Sequence, residues 1–368
     1  MRHPMTVSGA VFLAASSSDS HSLAFLKDQP IPCIETTTHV RIRVAYSDIN
    51  PVDVQKLNQY LKQPDSDPFV VGYGGSGHLD CVGEDVPRNF QVGQPVAFLG
   101  DARQRLGSYS THVCVDYRLV AHVPPSVDLE AAACIGVAGV TAYEALEKIG
   151  LPLRSLENSE YKETLLIIGG AGGVGSWATR LAREVYPNLN IVVTSSSPSG
   201  TENWCVNKNG ASRVIDHHEI TKELPAGRAG SVKHVLCLVE PTPTIMSAVS
   251  DVLKPFGHIC LVVAGPSIQK LDLGFVFFKS GTIHTETVFS NARNNFLPLN
   301  QSEQIANILN LISNGNLEPP LRPDRHDIPG CMDWNQALEP GGVLDVMTGN
   351  LNSDTKRNAL GKLVMKIT

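Results

Sequence analysis

The sequence predicts an α/β protein: a doubly wound parallel sheet joined to a discontinuous, barrel-like β domain. Three observations predict it. A strand-rich first third, broken often by Gly and Pro, gives way near Leu129 to alternating strands and helices. A glycine-rich turn, Gly170-Ala171-Gly172-Gly173-Val174-Gly175, stands between an apolar strand and a helix. The closing segment 361–367 (GKLVMKI) reads as a strand again, so the tail is expected to return to the first domain.

Taken in order, residues 7–15 read as a first strand, followed by the polar turn SSSDS. That apolar stretch is too short, and too broken by Ser8 and Gly9, for a signal segment. Residues 39–46 (HVRIRVAY) alternate apolar and polar as a half-buried strand does, and 92–99 and 108–115 continue the pattern. Residues 129–148 carry helical signals. Strands are then expected at 164–168, 190–194, 213–215, 234–239, 258–264 and 281–285, with helices at 174–186, 202–209 and 244–253 between them. A last amphipathic helix covers 304–314 and stops at Gly315. The expected division is 1–130 for the first part of the β domain, 131–300 for the nucleotide domain and 301–368 for the return.

Composition narrows the function. A chain of 368 residues suits two domains. With 42% hydrophobic and 18% charged residues it can bury a core in each, which excludes a disordered chain. A formal charge of -6 argues against a general nucleic-acid binder. No run approaches the ~18 apolar residues that span a bilayer. The eight cysteines form no C-x-x-C pair and read as free thiols of a reducing compartment. A cytoplasmic protein, with no nucleic-acid or membrane partner, is the expectation.

The glycine-rich turn points to a Rossmann dinucleotide site. Gly170 is assigned the sharp turn, Gly172 the close approach of a pyrophosphate, and Gly175 the packing of helix on strand. Backbone N–H groups and the helix dipole would stabilise the phosphates. NAD-binding sites usually carry an acid after the second strand. Here Ser195, Ser196 and Ser197 follow it, and no carboxylate comes before Glu202. Serine hydroxyls suit a ribose 2′-phosphate, with Lys208 nearby, so NADPH is favoured; an ordinary loop is the competing reading.

Several segments together resemble the medium-chain dehydrogenase/reductase superfamily over nearly the whole length. They are SDINPVD (47–53), VGYGGSGHLDCVGEDV (71–86), GQPV (93–96), GVAGVTAYEAL (136–146), LLIIGGAGGVG (165–175), the Gly210-Ala211 turn leading to Val214-Ile215-Asp216, and GKLV (361–364). The order and spacing are most similar to the zinc-independent quinone oxidoreductase branch, in particular its zinc-type alcohol dehydrogenase-like members. The resemblance implies a GroES-like catalytic domain built from both chain ends, a cofactor cleft between the domains, and a homodimer through the edge of the nucleotide sheet.

It also implies where zinc ligands would stand. The family's first Cys position is Ser47 here, and its G-H-E segment is Gly72-Tyr73-Gly74. Gly100–Gly107 contains no cysteine, so the four-cysteine lobe is absent. No metal site is expected. Without a Lewis acid, oxidising a simple alcohol is harder, so a conjugated small-molecule acceptor, a quinone or α,β-unsaturated carbonyl, is expected. It could belong to a specialised biosynthetic pathway.

Asn50 is the candidate catalytic residue; it could donate to a substrate carbonyl, or simply shape a turn with Pro51. Asp53 is expected to cap the next helix. Gln55 stands where related reductases often carry Tyr, and Gly74 where they carry Asp. By the same resemblance Thr141 would face the nicotinamide, with a helix cap as the alternative, and Lys362 would reach the cofactor or be an ordinary surface lysine. Val239 and Ala264 end strands whose following loops should line the cofactor. A dinucleotide binder without turnover, and a non-redox isomerase, remain open alternatives.

Overall fold

The computed structural model describes residues 10–15, 23–62, 67–153, 160–294, 300–322, 330–336 and 360–368. The SSSDS turn, the start of the first expected strand, most of the loop near 153–161 and the polar stretch 349–358 lie outside them. Two strands open the chain, β1 (Ala10–Ala15) and β2 (Leu23–Gln29), paired antiparallel. The β domain continues with β3 (His39–Ile49), helix α1 (Pro51–Leu61), β4 (Gly74–Val82), β5 (Pro95–Leu99), β6 (His112–Asp116) and β7 (Val120–His122). β3 is its centre. One edge of β3 pairs with β4, while the other pairs first with β6 and then with a strand from the chain's end. Register shifts at Arg41/Ile42 and Val44/Tyr46 bend the strand, as bulges do, and curl the sheet toward a barrel.

The expected 92–99 strand is shorter, because Gly93 takes a left-handed turn with φ +90° before β5. Residues 108–111 bend ahead of β6, with Ser110 bridging antiparallel to Phe12 of β1. The expected helix 129–148 is present as α2 (Leu129–Ala133), a π-helical turn (Ile135–Gly139) and α3 (Val140–Lys148). Gly136 explains the irregular turn. A Cβ there would lie 2.5 Å from the Phe98 carbonyl oxygen, so this backbone lies directly on β5.

The second sheet holds β8 (Thr164–Ile168), β9 (Asn190–Ser195), β10 (Arg213–Asp216), β11 (Val232–Cys237), β12 (Leu253–Leu261) and β13 (Thr282–Thr285). Its order is β10-β9-β8-β11-β12-β13, and every pair is parallel. Alternate residues of β8 enter two different cores: Leu165 and Ile167 one, Leu166 and Ile168 the other. A strand buried on both faces is what a doubly wound sheet requires. Helix α4 (Gly173–Val185) follows β8. The expected helix 202–209 is a short α-helix, Pro198–Glu202, running into a π-helical stretch, Asn203–Lys208. β12 begins at Leu253, five residues before the expected start.

After helix Asn300–Ser313 the chain returns to the first sheet. β14 (Cys331–Asp333) pairs with β15 (Leu363–Lys366), and β15 pairs antiparallel with β3. Gly361 links the tail to the phosphate turn: its N–H donates to the Ala171 carbonyl at 2.9 Å. Its φ is +58°, and a Cβ would lie 2.5 Å from both the Pro320 carbonyl and the Trp204 ring, so only glycine fits. Among the described residues, no helix is long and apolar enough to cross a membrane.

Candidate active site between the two sheets

The glycine turn sits where strand order reverses, beside β8 between β9 and β11. Gly169, with φ +86°, makes the sharp turn that the sequence assigned to Gly170. Gly170 serves packing instead: a Cβ there would meet Val193 at 2.4 Å. Gly172 has nothing nearer than 3.9 Å at its Cβ position, which leaves its backbone open to a ligand. A Cβ on Gly175 would lie 2.6 Å from the Gly170 backbone, so α4 packs directly on the turn. The end of β9 braces this loop. The Gly169 N–H donates to Thr194 Oγ1 and the Gly170 N–H to the Thr194 carbonyl, both at 3.1 Å.

Two cavities meet at this turn and share Gly169 and Gly172. The first, about 560 Å³, lies between the domains. Its walls are Ile49, Asn50, Pro51, Val54 and Gln55 from the β3–α1 junction, Ala138 from the π turn, and Gly172–Gly175. Leu238, Val262 and Val263 from the strand ends and Gly361–Leu363 from the tail close it. The second, about 470 Å³, runs over Ala171, Thr194, Ser195, Ser196, His217, Val239 and Glu240. Together they form a cleft along the carboxyl ends of parallel strands.

Thus Asn50, Ala171, Gly172, Gly173, Val174, Gly175, Ser195, Ser196, Val239 and Lys362 all line the cleft. Other expected residues do not. The Thr141 hydroxyl donates back to the Val137 carbonyl at 2.6 Å inside the π turn and is buried there. Thr141 is within α3 and is not its N-cap. Ser197 is the cap residue of helix Pro198–Glu202, its N–H held by Ser195 Oγ. Lys208 opens onto a separate depression with Arg180 and Arg183, because the π-helical stretch turns it away from β9. Ala264 is absent from the walls; the chain meets the cleft at the two preceding residues, Val262 and Val263. Sequence reasoning missed Gly169, Ala138, His217 and Glu240. The strand-end rule could have found Glu240 and His217; Ala138 depends on the π turn, which no sequence pattern signalled.

A buried polar cluster sits on the wall of the first cavity. Lys362 is 2% exposed, so it is neither a surface lysine nor free to extend. Its ammonium donates to Asn50 Oδ1 at 2.6 Å, the Ile49 carbonyl at 3.0 Å and Asp48 Oδ2 at 3.3 Å. Since Lys362 claims the oxygen of the Asn50 amide, the orientation of that amide is set. Asn50 Nδ2 is buried and has no hydrogen-bond partner. The Asn50 backbone N–H donates to Asp53 Oδ2 at 2.7 Å, which is the expected capping of α1. Tyr109 Oη donates to the same oxygen at 3.2 Å. Burial above all, and then the charge of Asp48, push the Asp53 carboxyl up to about 8, so it is mostly protonated at neutral pH.

The positions where zinc ligands would stand offer no thiolate or imidazole. Ser47 Oγ lies 2.6 Å from Ser108 Oγ, which donates to the Gly74 carbonyl at 2.9 Å. Gly72 and Gly74 have no side chain, and Tyr73 is a buried phenol whose pKa burial raises. Among the described residues, one group of three potential ligands lies close together, Asp216, His217 and His218, at the end of β10.

Comparison with known proteins agrees with this geometry. Residues 36–125 match the alcohol dehydrogenase GroES-like domain. A zinc-type alcohol dehydrogenase-like protein of Staphylococcus epidermidis is 31% identical over 316 residues, covering 84% of this chain and 90% of its own. The chain belongs to the medium-chain dehydrogenase/reductase superfamily. A 2-methylene-furan-3-one reductase of Solanum lycopersicum is 32% identical over 166 residues, 43% of this chain and 40% of that protein. Among solved structures, an alcohol dehydrogenase superfamily protein from Novosphingobium aromaticivorans has a TM-score of 0.72 at 22% identity, covering 98% of this chain and 99% of its own. The quinone oxidoreductase from Coxiella burnetii has a TM-score of 0.68 at 22% identity with the same coverage. As a member of this superfamily, whose members use nicotinamide cofactors, the protein is an oxidoreductase.

Proposed function

We propose that the protein is an NADPH-dependent, zinc-independent reductase of quinones or α,β-unsaturated carbonyls. The observation that carries this reading is the unpartnered Nδ2 of Asn50, a residue on the wall of a mostly apolar pocket beside the phosphate turn. The residues fit a dinucleotide: Gly172 leaves room for a pyrophosphate, and Ser195 and Ser196 present hydroxyls in the second cavity. When bound, the nicotinamide supplies a hydride from C4. Asn50 Nδ2 then donates to the acceptor's carbonyl oxygen, where the displaced electron pair collects, and so stabilises the enolate or hydroquinone anion. Ile49, Val54, Leu238 and Val262 exclude water from that contact. Solvent supplies the completing proton. A serine at 47 and glycines at 72 and 74, none of which supplies a thiolate, imidazole or carboxylate, support chemistry without zinc.

The test is one titration of NADPH and NADH against a panel of quinones and enones. Saturable NADPH oxidation by at least one conjugated acceptor, with NADH much weaker, is the expected result. Tight NADPH binding with no turnover on any acceptor would replace this reading with that of a binder. We also propose a homodimer through the edge of β13, which pairs with no further strand among the described residues. Phe277 and Phe278, on the short helix Gly274–Phe278 just before that strand, are 81% and 86% exposed, which a monomer would leave in water.

A further inference from the structure

The carboxylate of Asp48 fills the space that a side chain at position 74 would need. A Cβ built on Gly74 lies 2.6 Å from Asp48 Oδ1 and 3.0 Å from its Cγ. Gly74 does not have a left-handed φ, so its backbone would accept other residues. The neighbouring carboxylate, not the backbone, keeps position 74 empty. The pairing explains the meeting: β3 and β4 place Ser47 opposite Gly75, which sets Asp48 against Gly74. On the other edge of β3, Val364 lies opposite Asp48 and Leu363 opposite Ile49, which brings Lys362 to Asn50.

Asp48 is fully buried, with Oδ2 3.3 Å from Lys362 Nζ, and Oδ1 has no partner. A buried ammonium facing only neutral acceptors is strongly disfavoured. We infer that Asp48 is a positioning residue, exchangeable with a carboxylate at position 74. It holds the Lys362 ammonium in place, and Lys362 in turn holds Asn50 Oδ1, so that Asn50 Nδ2 is the end presented to substrate. There is room beside Lys362 for one carboxylate, carried by position 48 or by position 74 but not by both. This inference rests on the reading of Asn50 as the substrate's hydrogen-bond donor.

The test uses the full-length chain as wild type, Asp48→Ala, Gly74→Asp and the double variant Asp48→Ala/Gly74→Asp. NADPH affinity is read by fluorescence, kcat with 1,4-naphthoquinone, and stability by thermal melting. Asp48→Ala is expected to lower kcat about tenfold or more, while NADPH affinity changes less than about threefold. Gly74→Asp alone, with two carboxylates in one space, is expected to melt lowest. The double variant is expected to recover most of the melting temperature and to come within about threefold of wild-type kcat. In an Asn50→Ala background, Asp48→Ala is expected to lower kcat little further, because the group it positions has gone. A double variant no better than the worse single variant, or Asp48→Ala with wild-type kcat, would overturn the inference. So would a full additional loss of kcat in the Asn50→Ala background. If the wild type reduces no acceptor, the reductase reading fails by itself. The melting temperatures then decide the exchange alone: recovery in the double variant supports it and no recovery overturns it.

Discussion

Asn50 shows how much a single side chain's neighbours decide. In the sequence it is one residue of SDINPVD, equally able to shape a turn or touch a ligand. The structure makes it the N-cap of α1 and a wall residue of the first cavity. Its amide oxygen accepts from Lys362, while Nδ2 is buried without a hydrogen-bond partner. Asn50→Ala is therefore expected to lower kcat by about a hundredfold, the scale seen when a donor to a developing oxyanion is removed. NADPH affinity should change little, and steady-state kinetics with a binding titration separates the two. On the proposed reading, Ser195 and Ser196 carry the cofactor preference. Replacing both with Ala is expected to weaken NADPH about tenfold or more, since hydrogen bonds to a charged group are lost. NADH binding should be nearly unchanged. Equal losses for both cofactors would show that these hydroxyls do not meet a 2′-phosphate.

At the scale of elements, most strands and helices of the nucleotide domain were legible because their periodicity is local. Apolar runs buried on both faces, such as LLII and HVLCLV, announce a doubly wound sheet. The π turn at Ile135–Gly139 was not legible, because it answers to the Phe98 backbone, a contact about forty residues away in sequence. A histidine ladder across β11, β12 and the edge strand was not legible either. His234 and His258 stack with ring centroids 5.9 Å apart, and His258 and His284 at 6.0 Å. Burial lowers the pKa of all three, that of His234 to about 4. Tyr161 Oη and the Ile149 carbonyl hold the His234 ring at 2.7 Å each. The sign follows from proton binding. Between about pH 6.5 and about 4 the unfolded chain protonates this histidine and the folded chain does not. His234 thus contributes no penalty above pH 6.5, and a growing one as pH falls, at up to about 1.4 kcal/mol per pH unit. His234→Gln is expected to lose stability at pH 7.5, where only its hydrogen bonds count. Relative to wild type it should regain stability as pH falls to 4.5. Urea unfolding of both proteins at several pH values checks this, and a difference that stays constant with pH would refute it. Comparing the two proteins isolates His234, because Asp53, raised to about 8, acts in the opposite direction in both.

At the scale of the whole molecule, the site exists only because the chain's two ends meet. Lys362 lies 314 residues from Asp48 and 312 from Asn50, yet contacts both. Gly361 binds the same tail to the glycine-rich turn, so that turn and the strand carrying Lys362 are joined by backbone hydrogen bonding. The exposed Phe277 and Phe278 suggest how the molecule completes its surface. Phe277→Ser/Phe278→Ser is expected to shift a dimer to a monomer by light scattering, with the melting temperature of the monomer's core little changed. A wild type already monomeric at micromolar concentration would remove the proposed dimer.

By itself the sequence determined the parallel sheet, the phosphate turn, the serine loop and the strand at the tail. Each depends on spacing within about thirty residues, and hydrophobic period and glycine placement record that directly. The tertiary structure alone decided that Gly169 rather than Gly170 makes the turn, and that Thr141 and Lys208 stand away from the cleft. It also decided that Lys362 serves Asn50 through buried contacts. Those outcomes depend on which backbone lies within 3 Å of which side chain after strands hundreds of residues apart have paired. No local pattern encodes that distance.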